Sequence, residues 1–179
     1  MEKEEARKIV FQRREQIRQN IVEDLNSKIF ANTPDFKNKI IGGYHNFEKE
    51  ASILEVLKFY KKYNTILLPK TLENKIYFAE WNFVEKLKPN SLYKKILEPS
   101  NNIEKIPEIV FVPCVAVSLN GDRVGYGKAY YDKYLSNINC LKICVAFEFQ
   151  IFNSIKADNH DIKMDYILTE ERFLPVHVV

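Results

Sequence analysis

Residues 108–135 read EIVFVPCVAVSLNGDRVGYGKAYYDKYL, and this stretch decides the fold. It begins with a nearly continuous apolar run at residues 108–113, which is typical of a strand buried on both faces of a parallel sheet. Asn120 and Gly121 then give a turn signal, and residues 128–136 have the pattern of a helix. A buried strand that leads through a turn into a helix indicates a layered α/β domain.

The remainder of the chain repeats this alternation of helical and buried-strand patterns. Apolar residues at steps of three and four predict one long amphipathic helix over residues 4–30 and a second over residues 50–63. Short apolar runs predict further strands at residues 39–44, 65–69, 75–79, 141–147 and 164–168. Residues 82–107 contain several prolines and asparagines and are expected to be mostly loop. We therefore expect one α/β domain over residues 1–179.

The composition allows an ordinary globular core and excludes disordered and collagen-like chains. Hydrophobic residues make up 46% of the sequence and charged residues 28%, and the formal net charge is +3. This weak positive charge is compatible with an anionic ligand such as a nucleotide. The arginine-rich first helix suggests a nucleic-acid-binding protein as an alternative. Acidic residues of the same segment oppose that alternative: Glu2, Glu4, Glu5 and Glu15.

The sequence predicts a protein of a reducing compartment that has no membrane contact. No apolar run is long enough to span a membrane, and the first residues lack the apolar segment of a signal peptide. An odd number of cysteines in apolar surroundings is interpreted as reduced thiols in strands: Cys114, Cys140 and Cys144. The histidines are scattered and show no metal-ligand spacing: His45, His160 and His177. We expect a cytoplasmic location.

The turn between the strand and the helix carries glycines and positive charge. Gly125 and Gly127 lie between Arg123 and Lys128, just before the predicted helix. A glycine-rich turn that leads into a helix directs several backbone N–H groups to one side, and together with the helix dipole these groups bind anions. The glycine spacing fits neither the P-loop nor the dinucleotide fingerprint. The residues alone leave two interpretations open, a phosphate-binding loop and a plain surface turn.

Asp132 follows this loop, one turn into the predicted helix. Beside phosphates an aspartate is a natural Mg²⁺ ligand, because Mg²⁺ prefers one or two carboxylates together with phosphate oxygens and water. A helix-start aspartate that the helix dipole stabilises is an equally good interpretation. From the residues alone, Tyr130 and Tyr131 are interpreted as aromatics of the core or of the site wall.

The ordered pattern from Pro113 to Asp132 resembles the C-terminal half of the 5-formyltetrahydrofolate cyclo-ligases. Their motif reads roughly Pro-Gly-x-Ala-Phe-Asp-x-x-Gly-x-Arg-Leu-Gly-x-Gly-x-Gly-Tyr-Tyr-Asp. The residues that match it in register are Pro113, Ala116, Gly121, Arg123, Gly125, Gly127, Tyr130, Tyr131 and Asp132. Similar pieces continue along nearly the whole chain. Lys3 and Arg7 resemble an N-terminal Lys-x-x-x-Arg that contacts ATP phosphates. Tyr44 and Glu50 are similar to residues of the family's folate pocket.

The resemblance implies a three-layer α/β/α fold with a mostly parallel central sheet, like that of sugar-phosphate isomerases and CoA transferases. It also implies an ATP- and Mg²⁺-dependent enzyme that converts 5-formyltetrahydrofolate, free or polyglutamylated, to 5,10-methenyltetrahydrofolate with release of ADP and phosphate. We expect a monomer. The implied catalytic residues are Arg123, Lys128 and Tyr131. The implied substrate-binding residues are Tyr44, Glu50 and Tyr131, and the metal ligand is Asp132. The implied ATP-binding residues are Lys3, Arg7, Arg123, Gly125, Tyr126, Gly127, Lys128, Ala129, Tyr130 and Asp132.

Departures from the family pattern suggest a competing interpretation, a degenerate member that binds folate or nucleotide without efficient turnover. Cys114 and Ala129 replace glycines of the pattern, and Ser52 and Ser118 replace aspartates. Because Ala129 stands where the helix is predicted to begin, we expect right-handed dihedrals there. Alanine adopts these dihedrals without cost, so the loop is expected to function. A glycine at this position is expected to lower stability slightly.

Overall fold

The computed structural model describes residues 1–176, so His177 lies outside the described residues. Its helices are α1 (Lys3–Gln16), α2 (Gln19–Asn32), α3 (Leu54–Tyr60) and α4 (Tyr130–Leu135), with a 3₁₀ turn at Glu148–Gln150. Its strands are β1 (Ile40–Gly42), β2 (Thr65–Leu72), β3 (Lys75–Glu80), β4 (Lys88–Pro89), β5 (Leu97–Glu98), β6 (Ile109–Pro113), β7 (Ala116–Ser118), β8 (Arg123–Val124), β9 (Leu141–Val145), β10 (Ile151–Phe152), β11 (Tyr166–Leu168) and β12 (Phe173–Pro175).

The strands form one large sheet and two small ones. The large sheet has seven strands in the order β12-β11-β9-β6-β1-β2-β3. Its inner strands, from β11 to β2, run parallel to one another, whereas β12 and β3 pair antiparallel at the two edges. The strands β10, β7 and β8 form a second sheet, and β4 and β5 form a third. The predicted, mostly parallel central sheet is confirmed.

Helices cover both faces of the large sheet. On one face α2 and α3 contribute Ile29 and Leu57 to a core that includes Phe111 of β6. On the opposite face α4 contributes Leu135 to a second core that includes Val112 of the same strand. Successive residues of β6 therefore point into different cores, as the continuous apolar run predicts. The three-layer α/β/α arrangement is confirmed.

The prediction of one continuous helix over residues 4–30 is wrong, because two helices, α1 and α2, occupy this segment and a break separates them. Ile17 and Arg18 have extended dihedrals, with ψ of 133° and 150°. The ammonium group of Lys49 donates to the carbonyl of Ile17 at 2.7 Å, which stabilises the end of α1. The break allows α1 to pack against the second sheet through Val10, whereas α2 packs against the large sheet. No proline or glycine marks this position, and the apolar periodicity continues through it.

The second predicted helix, over residues 50–63, is shorter than expected, because α3 spans only Leu54–Tyr60. The preceding residues form a turn in which the Glu50 N–H donates to the carbonyl of Phe47 at 3.0 Å. Glu50 therefore lies before the helix and not in its first turn, and its side chain is buried.

Other predictions about the organisation of the chain agree with the structure. Residues 82–107 are mostly loop, and only the short strands β4 and β5 interrupt them. The cysteines are free and buried: Cys114, Cys140 and Cys144. Among residues 1–176, no helix combines the length and the apolar character that a membrane crossing requires.

Candidate active site

The carboxyl ends of the parallel strands open into a cleft of about 760 Å³. Tyr44 follows β1, Pro69 lies in β2 and Pro113 ends β6, and all three line the cleft. The start of α1, the glycine loop before α4 and parts of two further loops complete its lining. Open α/β sheets generally bind ligands at this edge, outside the carboxyl ends of their strands.

Every residue to which the sequence analysis assigns a site role lines this one cleft. They come from α1, from the segment after β1, and from the glycine loop with the start of α4: Lys3, Arg7, Tyr44, Glu50, Arg123, Gly125, Tyr126, Gly127, Lys128, Ala129, Tyr130, Tyr131 and Asp132. The residues that the resemblance implies for ATP binding therefore lie in the same cleft as those that it implies for folate binding.

The glycine loop has the backbone form of an anion-binding nest. Gly127 has a φ of 93° and Ala129 a φ of 54°, so left-handed residues stand on both sides of Lys128. Alternating backbone conformations of this kind direct successive N–H groups into one concavity. Within residues 1–176, the backbone N–H groups of Tyr126, Gly127, Lys128 and Ala129 donate to no protein atom. These donors are available to an anionic ligand in the cleft.

The expectation of right-handed dihedrals for Ala129 is wrong. Ala129 caps the N-terminus of α4 with φ 54° and ψ 20°, a conformation that costs an alanine about 1–2 kcal/mol. The interactions of the folded protein must therefore offset this cost and hold Ala129 in the left-handed conformation. α4 itself has 6 residues and is shorter than the predicted 128–136.

Arg123 lies against the glycine loop with its side chain 5% exposed. Its Nη2 donates to Asp132 at 2.9 Å and its Nη1 to the carbonyl of Pro113 at 3.1 Å. The guanidinium also faces the ring of Tyr131, 5.5 Å from the centroid. A Cβ on Gly125 would lie 2.8 Å from Arg123 Nη1, so any larger residue here would displace the guanidinium from its present position. Arg123 Nε has no partner among the described residues.

Lys3 and Arg7 lie one turn apart on α1 and face the cleft together, as their spacing predicts. Arg7 Nε donates to the carbonyl of Gly125 at 2.9 Å, which joins α1 to the glycine loop. Lys3 pairs with Asp158 at 2.7 Å and also with Asp161. Burial lowers the pKa of Lys3, but the hydrogen bonds to these two aspartates outweigh burial and raise it. Lys3 is therefore positively charged at neutral pH.

Glu50 places a buried carboxylate in the lining of the same cleft. It is 4% exposed and accepts a hydrogen bond from the Phe47 N–H at 2.8 Å. Burial raises the pKa of Glu50, against the opposing effects of this hydrogen bond and of the Arg14 charge. Tyr44 is 3% exposed and donates its hydroxyl to the carbonyl of Ala51, so little of its ring is open for stacking.

Phe47 and Tyr126 form an aromatic rim of the cleft, and the sequence analysis identified only Tyr126 of the two. The half-buried ring of Phe47 stands edge-on to Tyr126, with 6.2 Å between their centroids. Lys95 lies over the Phe47 ring at 5.6 Å from its centroid and pairs with Glu48 at 2.9 Å. Phe47 belongs to the turn that carries Glu50, so recognition of that turn could have identified it. Lys95 comes from the loop at residues 82–107, where the sequence gives no local signal.

An acidic cluster around His160 was also missed. Asp158, His160 and Asp161 place ligand atoms within 4.8 Å of one another in the cleft lining. A search restricted to histidine and cysteine spacing does not detect such a group. The aspartates close to His160 in sequence are the signal that could have indicated it.

A sequence profile that matches most of the chain identifies its family. The sequence profile of the 5-formyltetrahydrofolate cyclo-ligase family matches residues 2–170. The chain belongs to the 5-formyltetrahydrofolate cyclo-ligase family. This family consists of ligases, so the predicted enzyme class is confirmed with it.

Similar proteins and structures agree with this cyclo-ligase assignment. A 5-formyltetrahydrofolate cyclo-ligase of Mycoplasma pneumoniae is 30% identical over 122 residues, which are 60% of this chain and 73% of that protein. The cyclo-ligase of Mus musculus is 34% identical over 70 residues, and the match spans 34% of its length. The NMR structure of Aquifex aeolicus 5,10-methenyltetrahydrofolate synthetase superposes with a TM-score of 0.84 at 28% identity, covering 97% of this chain and 92% of that one. The Mycoplasma pneumoniae synthetase gives a TM-score of 0.72 at 25% identity, with 95% and 99% covered.

Proposed function

We propose that this chain converts 5-formyltetrahydrofolate to 5,10-methenyltetrahydrofolate with cleavage of ATP to ADP and phosphate. One observation carries the proposal: free backbone N–H groups and a buried carboxylate line the same cleft in a member of the cyclo-ligase family. The N–H groups suit the phosphates of ATP, and Glu50 suits the N–H groups of a pterin. A single cleft therefore offers sites for both substrates.

The glycine loop and the first turns of α1 form the proposed nucleotide end. The free N–H groups of residues 126–129 would surround the phosphates, while Arg7 and Lys128 add positive charge. Each charge-assisted hydrogen bond contributes about 1.5–3 kcal/mol. The proposed ATP-binding set is Lys3, Arg7, Arg123, Gly125, Tyr126, Gly127, Lys128, Ala129, Tyr130 and Asp132.

The carboxylates at this end fit a magnesium ion. Asp132 Oδ2 accepts a hydrogen bond from Arg123 at 2.9 Å, and its Oδ1 accepts a longer one from the Ile162 N–H at 3.4 Å. Asp158 and Asp161 add carboxylate oxygens in the same cleft. Hard oxygen ligands beside phosphates are the environment that Mg²⁺ prefers. When bound, the ion would neutralise phosphate charge, with Asp132 as its proposed ligand.

Glu50 and the aromatic rim form the proposed folate end. The Glu50 carboxylate can accept hydrogen bonds from the pterin, and the rings of Phe47 and Tyr126 offer apolar surface to the remainder of the folate. Tyr131 is half-buried in the cleft lining, where it is close to both Glu50 and Arg123. We propose that Tyr131 separates the pterin from the phosphates and excludes water between them.

The chemistry requires positioning and charge neutralisation more than a covalent residue. A formamide oxygen is a poor leaving group. In the proposed reaction it first accepts the γ-phosphoryl group, and the second folate nitrogen then closes the ring and expels phosphate. Arg123 and Lys128 would stabilise charge on the transferring group. Because Asp132 and the Pro113 carbonyl hold Arg123, its guanidinium needs little rearrangement before the reaction.

An assay of the purified protein with 5-formyltetrahydrofolate, ATP and Mg²⁺ tests the proposal. We expect the near-ultraviolet absorbance of the methenyl product to rise only when all three are present. Lys3→Ala and Arg7→Ala should each raise the KM for ATP about tenfold or more, with a much smaller effect on folate, because each removes a charged contact. Arg13→Ala is the matched control, since Arg13 is exposed on the same helix and is absent from the cleft lining.

The competing function is a degenerate member that binds without turnover, and its motivation is the departures from the family pattern. In the structure Ala129 keeps a free N–H group, and Ser118 binds Asp122 at 3.0 Å, away from the cleft. Both observations favour an active enzyme. Bound folate or nucleotide without product would support the degenerate member instead. The monomeric state, the cytoplasmic location, the single domain and the lack of a nucleic-acid partner stay predictions.

A further inference from the structure

Arg14 is a buried arginine behind the cleft, near the end of α1. It is 7% exposed and does not line the cleft. Its Nη1 donates to the hydroxyl of Tyr126 at 2.7 Å, and its Nη2 donates to the carbonyl of Cys114 at 3.0 Å. Its Nε has no partner among the described residues. A buried charge is costly unless it is well paired, and no carboxylate pairs with Arg14 among the described residues. The burial of Arg14 therefore suggests a role in function as well as in stability.

Tyr126 connects Arg14 to the folate end of the cleft. It belongs to the glycine loop, and its ring stands edge-on to Phe47, whose N–H donates to the carboxylate of Glu50. Burial and the nearby negative charge of Glu50 raise the pKa of Tyr126. A chain of contacts therefore leads from α1 through the proposed nucleotide loop to the proposed pterin ligand. A second connection runs through the backbone, because Lys49, the residue before Glu50, donates to the carbonyl of Arg14 at 2.7 Å.

We propose that Arg14 is a positioning residue that couples the binding of ATP to the binding of folate through the Tyr126 hydroxyl. This inference rests on the proposed function. ATP would order the glycine loop and fix Tyr126 beside Glu50. The oriented Glu50 would then bind the pterin more tightly. Coupling of this kind is reciprocal, so folate would strengthen ATP binding by the same factor.

Arg14 also affects the charge state of Glu50. The charged and titratable groups that face Glu50 are Arg14 from α1, Glu48 from the same turn, Tyr44 after β1, and Tyr126 and Tyr131 from the loop and α4. Burial raises the pKa of Glu50, and the positive charge of Arg14 opposes that rise. Removal of the charge raises the pKa of Glu50 further. Folate binding that needs the carboxylate would then weaken at a higher pH than in the parent protein.

Calorimetric titration with 5-formyltetrahydrofolate, with and without a non-hydrolysable ATP analogue and Mg²⁺, measures the coupling. In the parent protein we expect the analogue to lower the Kd for folate at least about fivefold. In Arg14→Gln and in Tyr126→Phe this ratio should fall to about one, and the double variant should show no further loss. Arg14→Lys keeps the charge, but a lysine cannot reach both Tyr126 and the Cys114 carbonyl. It should lose the coupling and keep the parent's pH profile, whereas Arg14→Gln should shift the acid limb upward.

Arg13→Gln is the matched control, because it alters the neighbouring arginine, which binds the Phe149 carbonyl outside the cleft. It should leave both the coupling and the pH profile unchanged. A parent protein that forms product while its ligands bind independently would overturn the coupling and leave the proposed function intact. Full coupling in Tyr126→Phe would also overturn the proposed role of Arg14 and Tyr126. Because Tyr126→Phe leaves Arg14 in place, this test remains valid if the Arg14 variants fold poorly. Absence of product with coupling intact would instead count against the proposed reaction.

Discussion

Arg123 and Asp132 form a buried ion pair that spans the glycine loop. Arg123 Nη2 lies 2.9 Å from Asp132 Oδ2, and the two side chains are 5% and 11% exposed. Because Arg123 stands in β8 and Asp132 in α4, the pair fixes both ends of the loop between them. One oxygen of Asp132 thus has a structural role, while among residues 1–176 its Oδ1 accepts only a long hydrogen bond from the Ile162 N–H.

Asp132→Asn should therefore affect both stability and the metal requirement. Removal of one partner of a buried pair typically costs about 3–5 kcal/mol, and we expect about 2–3 kcal/mol here because the amide oxygen still accepts a hydrogen bond. If Asp132 holds Mg²⁺, the concentration for half-maximal activity should also rise about tenfold or more. Denaturant unfolding measures the first effect, and a Mg²⁺ titration of activity measures the second.

Asp122→Asn provides a matched control for this prediction. Asp122 is also buried, pairs with Lys163 at 2.9 Å and does not line the cleft. This variant should lose stability and keep the Mg²⁺ requirement of the parent protein. A normal Mg²⁺ titration in Asp132→Asn would leave that residue with a structural role alone.

Gly125→Ala should displace Arg123 without a penalty from positive φ. The new Cβ would lie 2.8 Å from Arg123 Nη1, so the guanidinium must move from its partners, Asp132 and the Pro113 carbonyl. Overpacking of this kind typically costs about 1–3 kcal/mol. We also expect a lower kcat, which stopped-flow absorbance of the methenyl product would measure. Parent-like stability and kcat would show that Arg123 can relocate freely.

Ala129→Gly should raise stability, the reverse of the expectation from sequence. Glycine removes the left-handed penalty of about 1–2 kcal/mol and adds an entropy cost of about 0.5–1 kcal/mol. The difference is about 0–1.5 kcal/mol in favour of glycine, which corresponds to an increase of up to about 6 °C in Tm, with kcat within a few-fold of the parent. Gly127→Ala is the matched opposite: its Cβ meets no atom within 4 Å, so the φ of 93° alone should destabilise it. Calorimetric melting of both variants checks the signs.

Glu50→Gln should stabilise the protein at neutral pH while it weakens folate binding. Burial raises the pKa of Glu50, so the folded state holds this proton more tightly than the unfolded state. The parent therefore loses stability as pH rises from the ordinary value of 4.5 through the folded-state pKa. The variant lacks this loss, so its Tm advantage should be present at pH 7 and disappear near pH 4.

The control for this prediction is Glu48→Gln, which alters an exposed neighbour that pairs with Lys95. It should show no such pH-dependent gain in Tm. In kinetics, Glu50→Gln should raise the KM for folate and leave that for ATP unchanged. The opposite kinetic pattern would mean that the two ligands occupy the reverse ends of the cleft.

Local patterns in the sequence were sufficient to predict a layered α/β domain with buried parallel strands, whereas the residues of the cleft were implied by the resemblance to the cyclo-ligases. The apolar run in β6 indicates burial on both faces, and the spacing of Lys3 and Arg7 places them on one helix face. The break at Ile17 could not be predicted in this way. It depends on Lys49, which is distant in sequence and stabilises the end of α1 only in the folded protein.

Backbone conformation and long-range polar contacts were the other limits of the sequence. Ala129 has a side chain that favours helix, but the closed loop imposes a positive φ on it. Arg14 looked like one more basic residue on an amphipathic helix, although it is buried against Tyr126 of the glycine loop. The positive φ of Ala129 and the burial of Arg14 both arise where segments distant in sequence meet. Neither periodicity nor composition can therefore predict them.

In the proposed reaction the cleft brings the formyl oxygen of the folate to the γ-phosphoryl group of ATP. Substrate labelled with ¹⁸O in the formyl group reports the fate of this oxygen in a reaction with the purified protein, ATP and Mg²⁺. If that oxygen is phosphorylated and then leaves on ring closure, the released phosphate should carry one ¹⁸O for each methenyl product formed. Methenyl product accompanied by unlabelled phosphate would contradict the claim, because ATP cleavage and ring closure would then be separate events.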